Sequence, residues 1–215
     1  MAIHGATMIA TYGDGSIESF NISAGIPVAN GDAQNSAGFG HDHLPNGLDI
    51  TSDGHYAIFG DASTVTTLEV SDISLGELTP TVAYDLGAAW NSGTVRLSPN
   101  ETLIFVTNNS AGRLSAAFFD RATRKISPGC ASAPLRGLYS SWSYAGAASL
   151  QLPTAQGGLV YIPEFGANGF SSIGIVELTS TGTTCRLNET ANSPSVDNSD
   201  PSNLLSIAVY PVRPF

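Results

Sequence analysis

Apolar residues in this chain come in short bursts, either alternating with polar ones or running unbroken for a few positions. Thr7-Met-Ile-Ala-Thr11 and Ile17-Glu-Ser-Phe20 show the first pattern; Leu103-Ile-Phe-Val106 and Leu159-Val-Tyr-Ile162 show the second. Gly, Pro, Asn or Asp bounds almost every burst, and these residues interrupt any window long enough for a helix. Both patterns predict β-strands. An initial pair, Thr7–Thr11 and Ile17–Ile22, flanks Gly13-Asp-Gly15, a strong hairpin signal. Next come Gly47–Thr51, Tyr56–Gly60, Thr66–Val70 and Thr81–Leu86, then Thr94–Leu97, Thr102–Thr107, Leu114–Phe119 and Cys130–Leu135. A further group is Ala148–Leu152, Leu159–Ile162, Ile173–Leu178 and Thr184–Asn188, followed by Leu204–Val212.

The groups resemble one another. Ser98-Pro-Asn-Glu-Thr-Leu-Ile-Phe-Val-Thr-Asn108 has an earlier counterpart in Thr51-Ser-Asp-Gly-His-Tyr-Ala-Ile-Phe-Gly-Asp61 and a later one in Pro153–Pro163. Aligning Ile50, Leu97 and Leu152 gives steps of 47 and 55 residues, the period of a propeller blade. The expected fold is all-β, a β-propeller of four-stranded antiparallel blades. One domain, 1–215, divides into units at about 1–45, 46–92, 93–147 and 148–200, with a closing or terminal strand in 201–215. A β-sandwich also uses short, regularly spaced strands, but its strands need not resemble each other in fours. The first unit shows no clear innermost strand. The expectation is therefore a part of a larger, seven-bladed ring rather than a four-bladed ring closed by Leu204–Val212.

Composition narrows the function classes. Of 215 residues, 42% are hydrophobic and only 12% charged, with a net charge of −10 and a single lysine, Lys125. Nucleic-acid binding needs clustered Lys and Arg, so no nucleic-acid partner is expected, and no anionic lipid surface either. No apolar run reaches the roughly 18 residues of a membrane span, and no signal peptide stands at the start. Scarce lysine with abundant Ser, Thr and Asn still suits a periplasmic or secreted protein. Asn-X-Ser/Thr occurs at Asn21, Asn100, Asn108 and Asn188, matches that chance largely explains in such a composition.

Phe105-Val-Thr-Asn108 nearly reproduces the Tyr-Val-Thr-Asn tetrapeptide that names a class of propeller repeats. With Leu97-Ser-Pro-Asn100 before it and Leu114–Phe119 after it, the unit resembles repeats of the lactonase-like propeller family, the 6-phosphogluconolactonase and cycloisomerase type. Pro45-Asn-Gly-Leu-Asp-Ile-Thr-Ser-Asp-Gly54 is similar to that family's innermost strand and turn, and to gluconolactonase-type propellers. The resemblance covers about 46–185. It implies the fold and, more loosely, lactone chemistry; it transfers no catalytic residue, because no site motif matches. Gly60-Asp61 and Pro163-Glu164 stand where the motif has Thr-Asn, and the units are fewer than the family's seven.

In a propeller, the loops entering innermost strands and those joining second to third strands gather on one face around the channel. That scheme brings together His41 and His43, Trp90, Arg136, Trp142 and Tyr144 from the first kind of loop. Asp61, Asn108, Arg113 and Glu164 come from the second. Aromatic platforms with acids, amides and arginines suit a sugar-like or acidic ligand; loop aromatics equally well cap the core. His41 or His43 as general base, with Glu164 as acid and Arg113 steadying a carboxylate, is the enzymatic version. His41 and His43 are two ligands at most, so no metal or other cofactor is expected.

Cys130 and Cys185 are read as corresponding positions of successive blades, too far apart to bridge, so two buried thiols are expected in preference to a disulfide. The sequence favours a module that binds a small ligand or a protein partner, over a lactone hydrolase with the same face as its site. A structural array inside a larger extracellular protein is the third reading.

Overall fold

The computed structural model describes residues 1–12, 14, 16–35, 45–61, 67–72, 79–85, 92–108, 112–137, 149–154, 157–165 and 171–196. They form four antiparallel sheets, each a meander in which consecutive strands pair. The first contains β1 (Ala2–His4), β2 (Thr7–Thr11), β3 (Ser16–Asn21) and β4 (Val28–Ala29), with β5 (Gln34–Asn35) also pairing β3. The second runs β6 (Pro45–Ile50), β7 (Tyr56–Asp61), β8 (Thr67–Asp72), β9 (Thr79–Asp85). The third is β10 (Ser92–Leu97), β11 (Leu103–Asn108), β12 (Arg113–Asp120), β13 (Lys125–Ala131). The fourth is β14 (Ser149–Thr154), β15 (Gly157–Phe165), β16 (Ser171–Ser180), β17 (Cys185–Glu189), with β18 (Ser195–Val196) also on β16.

Strand alternation decides how the sheets stack. Side chains point to opposite faces at successive positions, and in this chain both faces of an inner strand are apolar. In β11, Ile104 and Val106 pack with Ile58, Val95, Leu97, Ala117 and Phe119 in the seam between the second and third sheets. Leu103 and Phe105, one position out of phase, pack with Val160, Ile162, Val176 and Leu187 in the seam between the third and fourth. Ile9 and Ile17 meet Leu48, Ile50, Ala57 and Phe59 between the first and second. This two-sided burial explains the unbroken apolar run in β11. Each such side chain contributes about 1.5–3 kcal/mol relative to exposure.

The repeat extends to individual hydrogen bonds. In the β6–β7 turn, Gly54 N–H donates to the Thr51 carbonyl at 2.8 Å, Tyr56 N–H donates to Thr51 Oγ1 at 3.0 Å, and Thr51 Oγ1 donates to Asp53 Oδ1 at 2.7 Å. The β10–β11 turn, 47 residues on, matches: Glu101 N–H to the Ser98 carbonyl at 2.8 Å, Leu103 N–H to Ser98 Oγ at 3.0 Å, Ser98 Oγ to Asn100 Oδ1 at 2.7 Å. Gly54 and Glu101 share the left-handed conformation, φ 72° and 57°.

Three sequence expectations need correcting. The first sheet does have an innermost strand: β1 pairs with β2, Ile3 opposite Met8. It is too short to show in a hydrophobic pattern. The fourth strand of the third sheet is Lys125–Ala131, not Cys130–Leu135; the register shift between Ala116 and Ala117, opposite Cys130 and Pro128, disturbs its alternation. Cys130 and Cys185 are disulfide-bonded, their Cα atoms 5.6 Å apart. They are not equivalent after all. Cys130 lies near the end of β13 and Cys185 begins β17, two strands that pack against each other across the third and fourth sheets. Leu204–Val212 lies outside the described residues.

Candidate ligand-binding rim

The second strands of three successive sheets end on polar residues: Asp61 on β7, Asn108 on β11, and Glu164 next to last on β15. Asp61 and Asn108 are 47 residues apart and occupy equivalent positions, so the repeat itself sets a row of polar strand ends along one edge of the array. Arg113 opens β12 directly opposite Asn108.

Arg113 is rigidly based. Gly112 turns the chain with φ 60°, a conformation that suits glycine. Leu135 N–H donates to the Gly112 carbonyl at 2.8 Å. Leu114 N–H donates to Ser132 Oγ at 3.1 Å, and Ser132 N–H returns a bond to the Leu114 carbonyl at 2.8 Å. Arg113 Nε is buried without a hydrogen-bond partner, and Ser115 Oγ shares that condition. Both stand on the face of β12 that carries Ala117 and Phe119 into the seam with the second sheet. An unpaired buried donor costs about 1–3 kcal/mol, more on a charged group.

Between the second and third sheets, Leu97 N–H of β10 donates to Asp49 Oδ2 of β6 at 2.8 Å. Arg96 Nη1 lies 3.9 Å from Asp49 Oδ1 and donates to the Leu48 carbonyl at 3.5 Å. The first strands of three sheets are neighbours, β1 packing on β6 and β6 on β10; burial first, then the charge of Arg96, lowers the pKa of the Met1 amine. Sequence reasoning missed Asp49 and Arg96; only the strand pairing reveals them.

Arg136 lies elsewhere. Its backbone N–H donates to Glu189 Oε2 at 3.0 Å, its Nε lies 3.2 Å from Glu189 Oε1, and its Nη2 donates to the Thr190 carbonyl. The clamp joins the third and fourth sheets beside an open cleft of about 460 Å³, lined in part by Leu187, Asn188 and Thr190. Thr190 Oγ1 is buried there without a partner. No local sequence signal marks this cleft, because its partners are 53 and 54 residues apart. His41, His43, Trp90, Trp142 and Tyr144 lie outside the described residues. Among the described residues no group of three His, Cys, Asp or Glu side chains could hold a metal ion. No helix among them is long and apolar enough to cross a membrane.

No family model matches the chain, and no curated protein sequence does. Solved structures do. The chain is similar to a periplasmic gluconolactonase of Pseudomonas aeruginosa, at 15% identity and TM-score 0.64, over 89% of this chain and 53% of that one. A provisionally named 6-phosphogluconolactonase of Bacteroides fragilis gives 17% identity and TM-score 0.63, over 86% and 54%. A Lactobacillus plantarum protein gives 16% and 0.66, over 85% and 53%. TM-scores of 0.56 and 0.53 link it equally to the β-propeller domain of a Myceliophteria thermophila protein and to a set of WD40 repeats. At these identities the likeness shows a propeller-like fold, shared with lactonase-type proteins and with others. The chain spans about half the length of the structures it matches.

Proposed function

We propose that this chain is a β-propeller module of lactonase-like type that binds a small sugar acid or similar acidic ligand at the rim where second strands end. The observation that carries the reading is the buried, unpartnered Nε of Arg113, set opposite Asn108 on a pinned strand start. Guanidinium recognises carboxylates through paired N–H donors, and the polar ends at Asp61 and Glu164 would orient hydroxyl groups. Trp90 and Trp142, with Tyr144, are proposed as stacking platforms. The four sheets are read as blades of a single domain and as part of a larger ring, in keeping with the half-length matches.

The second reading is hydrolysis of a sugar lactone at the same place, favoured by the names of two similar structures. There His41 or His43 would activate water, Glu164 would protonate the ring oxygen as the ester bond opens, and Arg113 would hold the new carboxylate. Extracytoplasmic residence is part of the proposal. It is supported by the Cys130–Cys185 disulfide, since such bonds persist in oxidising compartments, and by the periplasmic naming of the Pseudomonas protein.

Titration calorimetry with gluconate and neutral glucose tests the binding reading: saturable binding of the acid alone is expected, and its absence refutes the reading. Base uptake at constant pH with glucono-lactone separates the enzyme, which consumes one equivalent above the spontaneous rate, from the binder, which does not.

A further inference from the structure

Both neighbours of Arg113 are bonded to the same short segment. On one side, the Gly112 carbonyl accepts the Leu135 N–H at 2.8 Å. On the other, Leu114 N–H donates to Ser132 Oγ at 3.1 Å, and the Leu114 carbonyl accepts the Ser132 N–H at 2.8 Å. The backbone before and after Arg113 therefore hangs on residues 132–135. Ser132 and Leu135 are buried, and Leu135 packs with Leu114, Leu178 and Leu187 in the seam between the third and fourth sheets.

That segment is fastened to the fourth sheet at both ends. Cys130, two residues before Ser132, is bonded to Cys185 at the start of β17. Arg136, next after Leu135, is held by Glu189 at the end of β17: its N–H donates to Oε2 at 3.0 Å and its Nε lies 3.2 Å from Oε1. The Glu189 carboxylate is fixed in turn. Ser193 Oγ donates to its Oε1 at 2.7 Å, and Ile175 N–H of β16 donates to Ser193 Oγ at 2.9 Å. Residues 130–136 thus form a strut from the fourth sheet to the start of β12. Bonds that served only to join two sheets have no need to end on the two neighbours of Arg113.

We propose that Glu189 is a positioning residue for the Arg113 guanidinium, acting through Arg136 and the backbone of 132–135. The role rests on the reading of Arg113 as the group that takes a ligand carboxylate. Such a pair depends on direction, and freedom left at the strand start must be given up on binding, which weakens affinity. Charge acts the other way. Glu189→Gln removes one negative charge, which by itself favours an acidic ligand, so weaker binding by this variant marks lost positioning.

Amide exchange followed by NMR, and titration calorimetry with gluconate, test this on the full chain and on Glu189→Gln. Exchange at the Leu114, Ser132 and Leu135 amides should rise about ten-fold, with the buried Leu103 amide in the β10–β11 turn unchanged. Gluconate should bind about five-fold more weakly. Arg136→Ala, at a side chain 53% exposed, repeats the exchange arm should Glu189→Gln fold poorly. Unchanged exchange at the three amides, an equal rise at Leu103, or gluconate binding as tight as the parent's would each overturn the proposal while parent binding stands. A parent chain that takes up no gluconate overturns the reading of the rim, and the positioning role with it.

Discussion

Glu101, in the first turn of the third sheet, accepts the backbone N–H of Ser52 in the matching turn of the second, while its other carboxylate oxygen accepts Arg121 Nη1 at 3.0 Å. Arg121 also pairs with Asp53, whose carboxylate lies 3.0 Å from His55 Nδ1. Neighbouring sheets are thus tied at the edge opposite the proposed rim, and Glu101, 5% exposed, is the centre of the tie.

Glu101→Ala should therefore cost about 2–4 kcal/mol, because it strands the Ser52 N–H and leaves Arg121 with Asp53 alone. Glu101→Gly should recover about 1 kcal/mol of that loss, since glycine tolerates the left-handed φ at this position. Urea titration of both variants checks the order.

Removing the disulfide should weaken the fold. The bridge closes a segment of 55 residues, for which the loop-entropy relation gives about 4 kcal/mol. Cys130→Ser with Cys185→Ser should lower the denaturant midpoint accordingly, and reductant should lower that of the parent chain but not of the variant.

Gly129→Ala should interfere with the same bridge. A Cβ there would stand 2.4 Å from the Ala116 carbonyl oxygen and 3.1 Å from Cys185 Sγ. The strand must shift, at about 1–3 kcal/mol. Thiol titration of freshly refolded protein should show more unpaired cysteine than the parent.

Asp120 supplies a pH dependence. The Thr123 hydroxyl first, then the Thr123 and Ala122 N–H groups, hold its carboxyl below the ordinary 3.8. A pKa depressed on folding adds stability that is present above 3.8 and is lost as pH falls through the lower folded value. Asp120→Asn should flatten the acid limb of the stability curve below pH 3.8 and leave its shape at neutral pH unchanged.

The repeat was legible because Thr51/Ser98 and Ala57/Ile104 recur at a fixed step, and most strands fall close to where the pattern puts them. What stayed hidden is what depends on pairing across sheets. β1 is three residues long and has no periodicity to read. The bulge opposite Cys130 moved the apparent strand, and that false start made the cysteines look equivalent. At the site, the repeat puts Asp61, Asn108 and Arg113 in the loops that join second to third strands; the structure extends the strands to include them as their end residues. Arg136 could not be assigned to its clamp, because Glu189 is 53 residues away on another sheet.

Hydrogen–deuterium exchange with and without gluconate tests the rim most directly. Slowed exchange at the strand ends around Asp61, Asn108, Arg113 and Glu164, abolished by Arg113→Gln, is the predicted result. Protection confined to the cleft at 187–191, or to no segment at all, would contradict it.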